Sequence, residues 1–123
     1  MKESYTVQKS PFVVPTTDKK LIEEFFGMAS IRPGDADLSF AHMIAPPGWS
    51  EPFQTPEFDE VTYIISGKKK FETAGESIVL EKNQAICVNK GTRIRYSNPF
   101  DEPVEYISVC MPAFSAAKVH RET

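Results

Sequence analysis

A cationic surplus is missing from this chain. Its 14 Lys and Arg face 17 Asp and Glu, for a formal net charge of −3 at pH 7 and a pI near 5.4. Binding nucleic acid through its phosphates needs clustered Lys and Arg. The one basic run, Lys68-Lys69-Lys70, simply follows the turn residue Gly67. No nucleic-acid partner is expected. Long apolar runs are missing too: no stretch approaches the roughly 18 residues of a membrane span, and the opening Met1-Lys2-Glu3-Ser4-Tyr5 lacks the apolar core of a signal peptide. A soluble, cytoplasmic protein without a membrane partner is the expectation. Cysteine is scarce: Cys87 and Cys110 sit in the apolar runs Ala85-Ile86-Cys87-Val88 and Ile107-Ser108-Val109-Cys110, which points to two reduced core thiols, not a disulfide frame. At 123 residues the chain suits one domain around one core and is too short for two.

What is present reads as β-structure. Residues 1–16 alternate weakly and carry Pro11 and Pro15, which fits an extended arm or edge strand. One short helix is predicted over about Thr17–Gly27: Thr17 or Asp18 can cap it, Leu21, Ile22, Phe25 and Phe26 form an apolar stripe, and Gly27 can stop it. From Leu38 onward, runs rich in Val, Ile, Tyr and Phe alternate with turn signals at Pro46-Pro47-Gly48, Ser66-Gly67, Ala74-Gly75, Lys82-Asn83, Lys90-Gly91 and Asn98-Pro99. With almost no helix between them, consecutive strands should pair antiparallel in a sandwich or barrel.

Two of these stretches carry a resemblance. Gly48-Trp49-Ser50-Glu51-Pro52-Phe53-Gln54-Thr55-Pro56-Glu57-Phe58-Asp59-Glu60, continuing to Gly67, resembles the first cupin motif, G-x5-H-x-H-x3-4-E-x6-G, with Gly48, Glu60 and Gly67 on its spacing. The stretch from Asn83 to Asn98 is similar to the second motif, G-x5-P-x-G-x2-H-x3-N: Gly91 and Asn98 match, while Asn83 and Asn89 stand where the family has Gly and Pro. Asn at the first of these is tolerable because it accepts left-handed backbone. The stretches Gln54 to Glu60, Arg95 to Ser97 and Val109 to Phe114 look like a group of small bacterial cupins and, more distantly, the ethanolamine-utilisation cupins. The resemblance spans about residues 38–111. It implies an all-β double-stranded β-helix, or jelly-roll barrel, with a ligand pocket inside.

It also implies four metal-ligand positions, which fall here on Gln54, Pro56, Glu60 and Ile94. Three of the family's ligands are therefore missing: Pro56 and Ile94 have no donor side chain, and Gln54 offers only an amide oxygen. No tight metal or other cofactor is expected, and a metal-dependent dioxygenase is the least favoured function.

Candidate chemistry then falls to other side chains. Strand alternation from Glu60 and Ile94 sends Thr62, Ile64 and Tyr96 inward. Burial without a cation disfavours a charged carboxylate, which suits Glu60 to work as general acid or base near neutral pH; the structural alternative is a hydrogen bond to neighbouring strands or a pair with Arg93 or Arg95. His42 lies on a strand face with Leu38, Phe40 and Ile44, either as a hydrogen-bonded core residue or as an acid-base partner of Glu60. Trp49, Glu51, Gln54, Glu57 and Tyr96 are candidate ligand-binding residues around the mouth and cup; Trp49 either stacks on a ligand or plugs the barrel end. His120 belongs to a polar tail, in solvent or at a subunit contact. The reading is a small-molecule-binding cupin, a metal-independent isomerase, epimerase or lyase acting through Glu60, against a non-catalytic ligand-sensing or structural cupin. A homodimer is expected, because exposed sheet edges need covering.

Overall fold

The structure is a computed structural model describing residues 4–31 and 37–123. Among these residues nine strands precede one short helix: β1 (Phe12–Val13), β2 (Leu21–Phe26), β3 (Ser39–Ala45), β4 (Asp59–Ser66), β5 (Lys69–Glu72), β6 (Ser77–Leu80), β7 (Ala85–Val88), β8 (Arg95–Ser97), β9 (Val104–Met111) and α1 (Ala116–Val119). A six-stranded sheet runs β1-β2-β3-β9-β4-β7, and a three-stranded sheet runs β6-β5-β8. Every strand pairing is antiparallel. This is the expected all-β jelly-roll architecture.

The pleat decides what faces inward. Along β9, Val104, Tyr106, Ser108 and Cys110 are buried while Glu105, Ile107 and Val109 are half-exposed. Along β4, Thr62 and Ile64 are buried and Tyr63 is exposed. The core between the sheets draws on both: Ala45, Ile64, Val88, Val104 and Tyr106 from one, Phe71, Leu80 and Tyr96 from the other, with Trp49 and Ile94 from connecting segments. Asn98 is fully buried; its Nδ2 donates to the carbonyls of Ala45, Pro46 and Glu102, so the second motif's Asn ties three chain segments together. Gly67 sits at φ 80, and a Cβ there would strike the Pro103 carbonyl. Asn83 adopts φ 68, the left-handed turn anticipated for it.

The helix predicted over Thr17–Gly27 is absent. Lys19 turns the chain at φ 68, and residues 21–26 form β2, whose register sets Glu23 opposite His42 and Phe12 opposite Glu24. The apolar positions Leu21, Ile22, Phe25 and Phe26 have helical spacing, but local pattern does not decide this segment. The strand wins because β1 and β3 both offer backbone ladders to it, which an isolated helix of this length cannot match. The helix that does form, α1, follows the last strand.

Candidate functional site in the barrel interior

The positions that the first motif reserves for metal come together, but with a different chemistry. Gln54 is buried and pairs with Ile94 through N–H to carbonyl bonds of 2.9 and 2.8 Å. Its Oε1 accepts a hydrogen bond from Arg121 Nε at 3.1 Å. Glu60 points inward from β4 and accepts from Ser108 Oγ at 2.6 Å and Tyr96 OH at 3.3 Å. With the amide oxygen committed to a guanidinium, and Pro56 and Ile94 offering no donor, these residues do not fit a divalent metal. Among the described residues no group of three His, Cys, Asp or Glu is placed to hold one.

A cavity of about 320 Å³ opens beside them, at the lower end of the roughly 300–1,000 Å³ typical of small-molecule sites. Its lining includes Glu60, Tyr96, Trp49, Glu51, Gln54 and Lys69 and runs out to Met28, which is 59% exposed, so the cavity reaches the surface. Strand β2 contributes Ile22 and Glu24 to one wall. Trp49 Nε1 donates to Asp18 Oδ2 at 2.8 Å, which holds the indole as part of that wall. Burial raises the Asp18 carboxyl, but the Trp49 N–H, the Lys20 N–H and the Lys20 charge outweigh it and leave the group below its usual range. At the mouth, Glu51 pairs with Lys20 Nζ at 3.1 Å and Arg121 at 3.0 Å.

Lys69 is the residue that sequence reasoning missed. It is 2% exposed, and its Nζ lies 3.5 Å from the Tyr106 ring centroid, 4.8 Å from Tyr96, 5.4 Å from Phe71 and 5.9 Å from Trp49. Among the described residues no carboxylate forms a salt bridge with it. Burial lowers its pKa to about 7, against the opposing charge of Glu60 and with the help of Lys20. A signal did exist: Lys69 is two residues before Phe71, so the two share a face of β5. Placing it in the basic run Lys68-Lys69-Lys70 hid that alternation. Burial first, then the Glu60 charge and hydrogen bond, also hold the Tyr96 phenol protonated well above its ordinary range.

Several expectations are corrected. His42 does not meet Glu60: it projects from the outer face of β3, where Nδ1 contacts Glu23 Oε1 at 2.8 Å and Nε2 contacts Glu105 Oε2 at 2.5 Å. The strand face of Phe40, His42 and Ile44 is the outer one, because Ser39, Ala41 and Met43 line the cavity. Glu57 is exposed and pairs with His120, outside the cavity lining. Arg93 and Arg95 pair with Glu122 and Glu72, leaving Glu60 to hydroxyls. Cys87 is exposed, and only Cys110 is a core thiol.

The cupin-domain family profile matches residues 41–110. The chain is a cupin. A Myxococcus xanthus protein named endoribonuclease YbeY is 40% identical over 111 residues, covering 90% of this chain, but this cupin spans only 37% of that protein's length. Among solved structures, an RmlC-like cupin from Shewanella frigidimarina superposes with a TM-score of 0.70 at 13% identity, covering 90% of this chain and 92% of that one. The EutQ protein of Clostridium difficile superposes with a TM-score of 0.59 at 22% identity, over 76% of this chain and 63% of that one. These two likenesses carry the fold and nothing finer.

Proposed function

We propose that this cupin binds a small polar metabolite in the barrel cavity and acts on it as an isomerase, epimerase or lyase without a metal, with Glu60 as general acid and base. The observation that carries the reading is the setting of Glu60: a carboxylate on a cavity wall, oriented by the hydroxyls of Ser108 and Tyr96. Such a group takes a proton from a bound ligand and returns it at another atom, and the two hydroxyls hold it in one geometry meanwhile. Trp49, Glu51, Gln54 and Tyr96 line the same space and would orient the ligand. One feature favours the alternative, a non-catalytic ligand-sensing cupin: both Glu60 oxygens already accept hydrogen bonds, as a purely structural carboxylate would.

A thermal-shift screen over sugars, amines and organic acids, each with EDTA or with added zinc or manganese, tests the reading, since binding to the folded state raises its melting temperature. A class of ligands is expected to raise it equally with and without EDTA. Glu60→Gln should then lower turnover of the best ligand by roughly 10²–10⁴-fold. Full turnover in that variant would exclude the acid-base role, and binding without conversion in the wild type would establish the sensor.

A further inference from the structure

Lys69 is a buried lysine on the cavity wall with no ion-pair partner among the described residues. A buried ammonium costs several kcal/mol unless a counter-charge and hydrogen bonds compensate it. Here the four rings of Tyr106, Tyr96, Phe71 and Trp49 surround Nζ, no carboxylate reaches salt-bridge distance among the described residues, and the residue lines the cavity. A methionine would fill the same space at less cost.

We propose that Lys69 is an amine nucleophile, and that the cavity takes a small aldehyde or ketone which Lys69 captures as an imine. The inference names a substrate class for the site described above and rests on that reading. The Lys69 nitrogen lone pair attacks the carbonyl carbon; a C–N bond forms, and the C=O π pair moves onto oxygen, which is protonated. The proton that the oxygen takes is the one the nitrogen gives up, carried by water, since no carboxylate lies within salt-bridge distance of Nζ among the described residues. The carbinolamine hydroxyl then takes a proton and departs as water while the nitrogen lone pair closes the C=N bond. Amine, carbonyl and one proton from solvent thus yield a protonated imine and water, with no change in oxidation state.

Three observations support the assignment. The amine is partly unprotonated at neutral pH, because burial lowers its pKa to about 7, and only the free base is nucleophilic. The aromatic box suits the product as well as the reactant, since ring faces stabilise a protonated imine. Anionic ligands are disfavoured: Glu24, Glu51 and Glu60 all line the cavity, while the mouth cations Lys20 and Arg121 are already paired with Glu51. Glu60, Glu51, Lys20, Tyr96, Tyr106 and Cys110 are the titratable groups facing or coupled to this amine.

The test is reductive trapping of the full chain with propanal and sodium cyanoborohydride, read by intact mass and peptide mapping. One propyl group is expected on Lys69 at least tenfold faster than on its neighbours Lys68 and Lys70, with a rate that rises through a midpoint near pH 7. Lys69→Met should lose that fast adduct while keeping a cooperative melt. Labelling of Lys69 no faster than of Lys68 and Lys70 would overturn the proposal. If that occurs while the thermal-shift screen finds a non-carbonyl ligand, the imine falls and the acid-base cupin stands.

Discussion

Glu60 and Lys69, to which we assign the cavity's proposed chemistry, differed in how far the sequence disclosed them. Glu60 stood on a motif spacing that survives the loss of its histidine neighbours. Lys69 had no motif, and its burial follows only from sharing a β5 face with Phe71. Its energetics give a prediction. The folded pKa is near 7, against about 10.4 in an unfolded chain, so between those values the unfolded state binds more protons and stability rises with pH. Below about pH 7 both states are charged and the burial penalty is complete. Lys69→Met is therefore expected to stabilise the fold at pH 6 by on the order of 2–5 kcal/mol, with the advantage shrinking as pH climbs toward 10. Urea melts of both proteins across that range measure it, and an advantage that does not vary with pH would show that the ammonium is not desolvated.

Among the elements, β2 shows how local pattern can mislead. Leu21, Ile22, Phe25 and Phe26 have a helical spacing, but Ile22 and Glu24 face the cavity and Glu23 faces His42, which is strand alternation. The missed strand also explains the misplaced histidine: once β2 pairs with β3, His42 sits directly across from Glu23 and beside Glu105 of β9, linking three strands on the outer face. Burial opposes charge on the imidazole, but Glu105 and Glu23 outweigh it and raise its pKa. A raised histidine contributes stability fully below its unfolded value of about 6.5, and that contribution is lost as pH rises through the folded value. His42→Gln should thus lower the melting temperature clearly at pH 6 and progressively less at higher pH. An equal loss at pH 6 and pH 9 would mean that the imidazole acts only through neutral hydrogen bonds.

For the whole molecule, the two sheets enclose the cavity, and the outer face of the larger sheet carries apolar side chains beside the cluster of His42, Glu23 and Glu105. Phe40, Val109 and Val61 form one cross-strand row, and His42, Ile107 and Tyr63 the next. Tyr63 is 41% exposed. We propose that the chain forms the homodimer expected from its exposed sheet edges. Sedimentation equilibrium should return a dimer for the wild type; a monomer would exclude the proposal. No helix among the described residues is long and apolar enough to cross a membrane.

The architecture was legible because strand-forming runs and turn residues are local properties: Gly67 and Asn83 announce their turns, and the run Ile107-Ser108-Val109-Cys110 announces a strand. Motif spacing likewise placed Glu60 on the inner wall and revealed that the donors for a metal had gone. Which face of β3 looked inward was not legible, since a run such as Phe40 to Ile44 is apolar on both sides and only pairing with β2 and β9 breaks the tie. Nor was the aromatic box around Lys69, whose rings come from four separate segments. A chain's sequence sets its turns and its alternation, but the surroundings of an ionisable group depend on residues distant along the chain, and those meet only in the folded barrel.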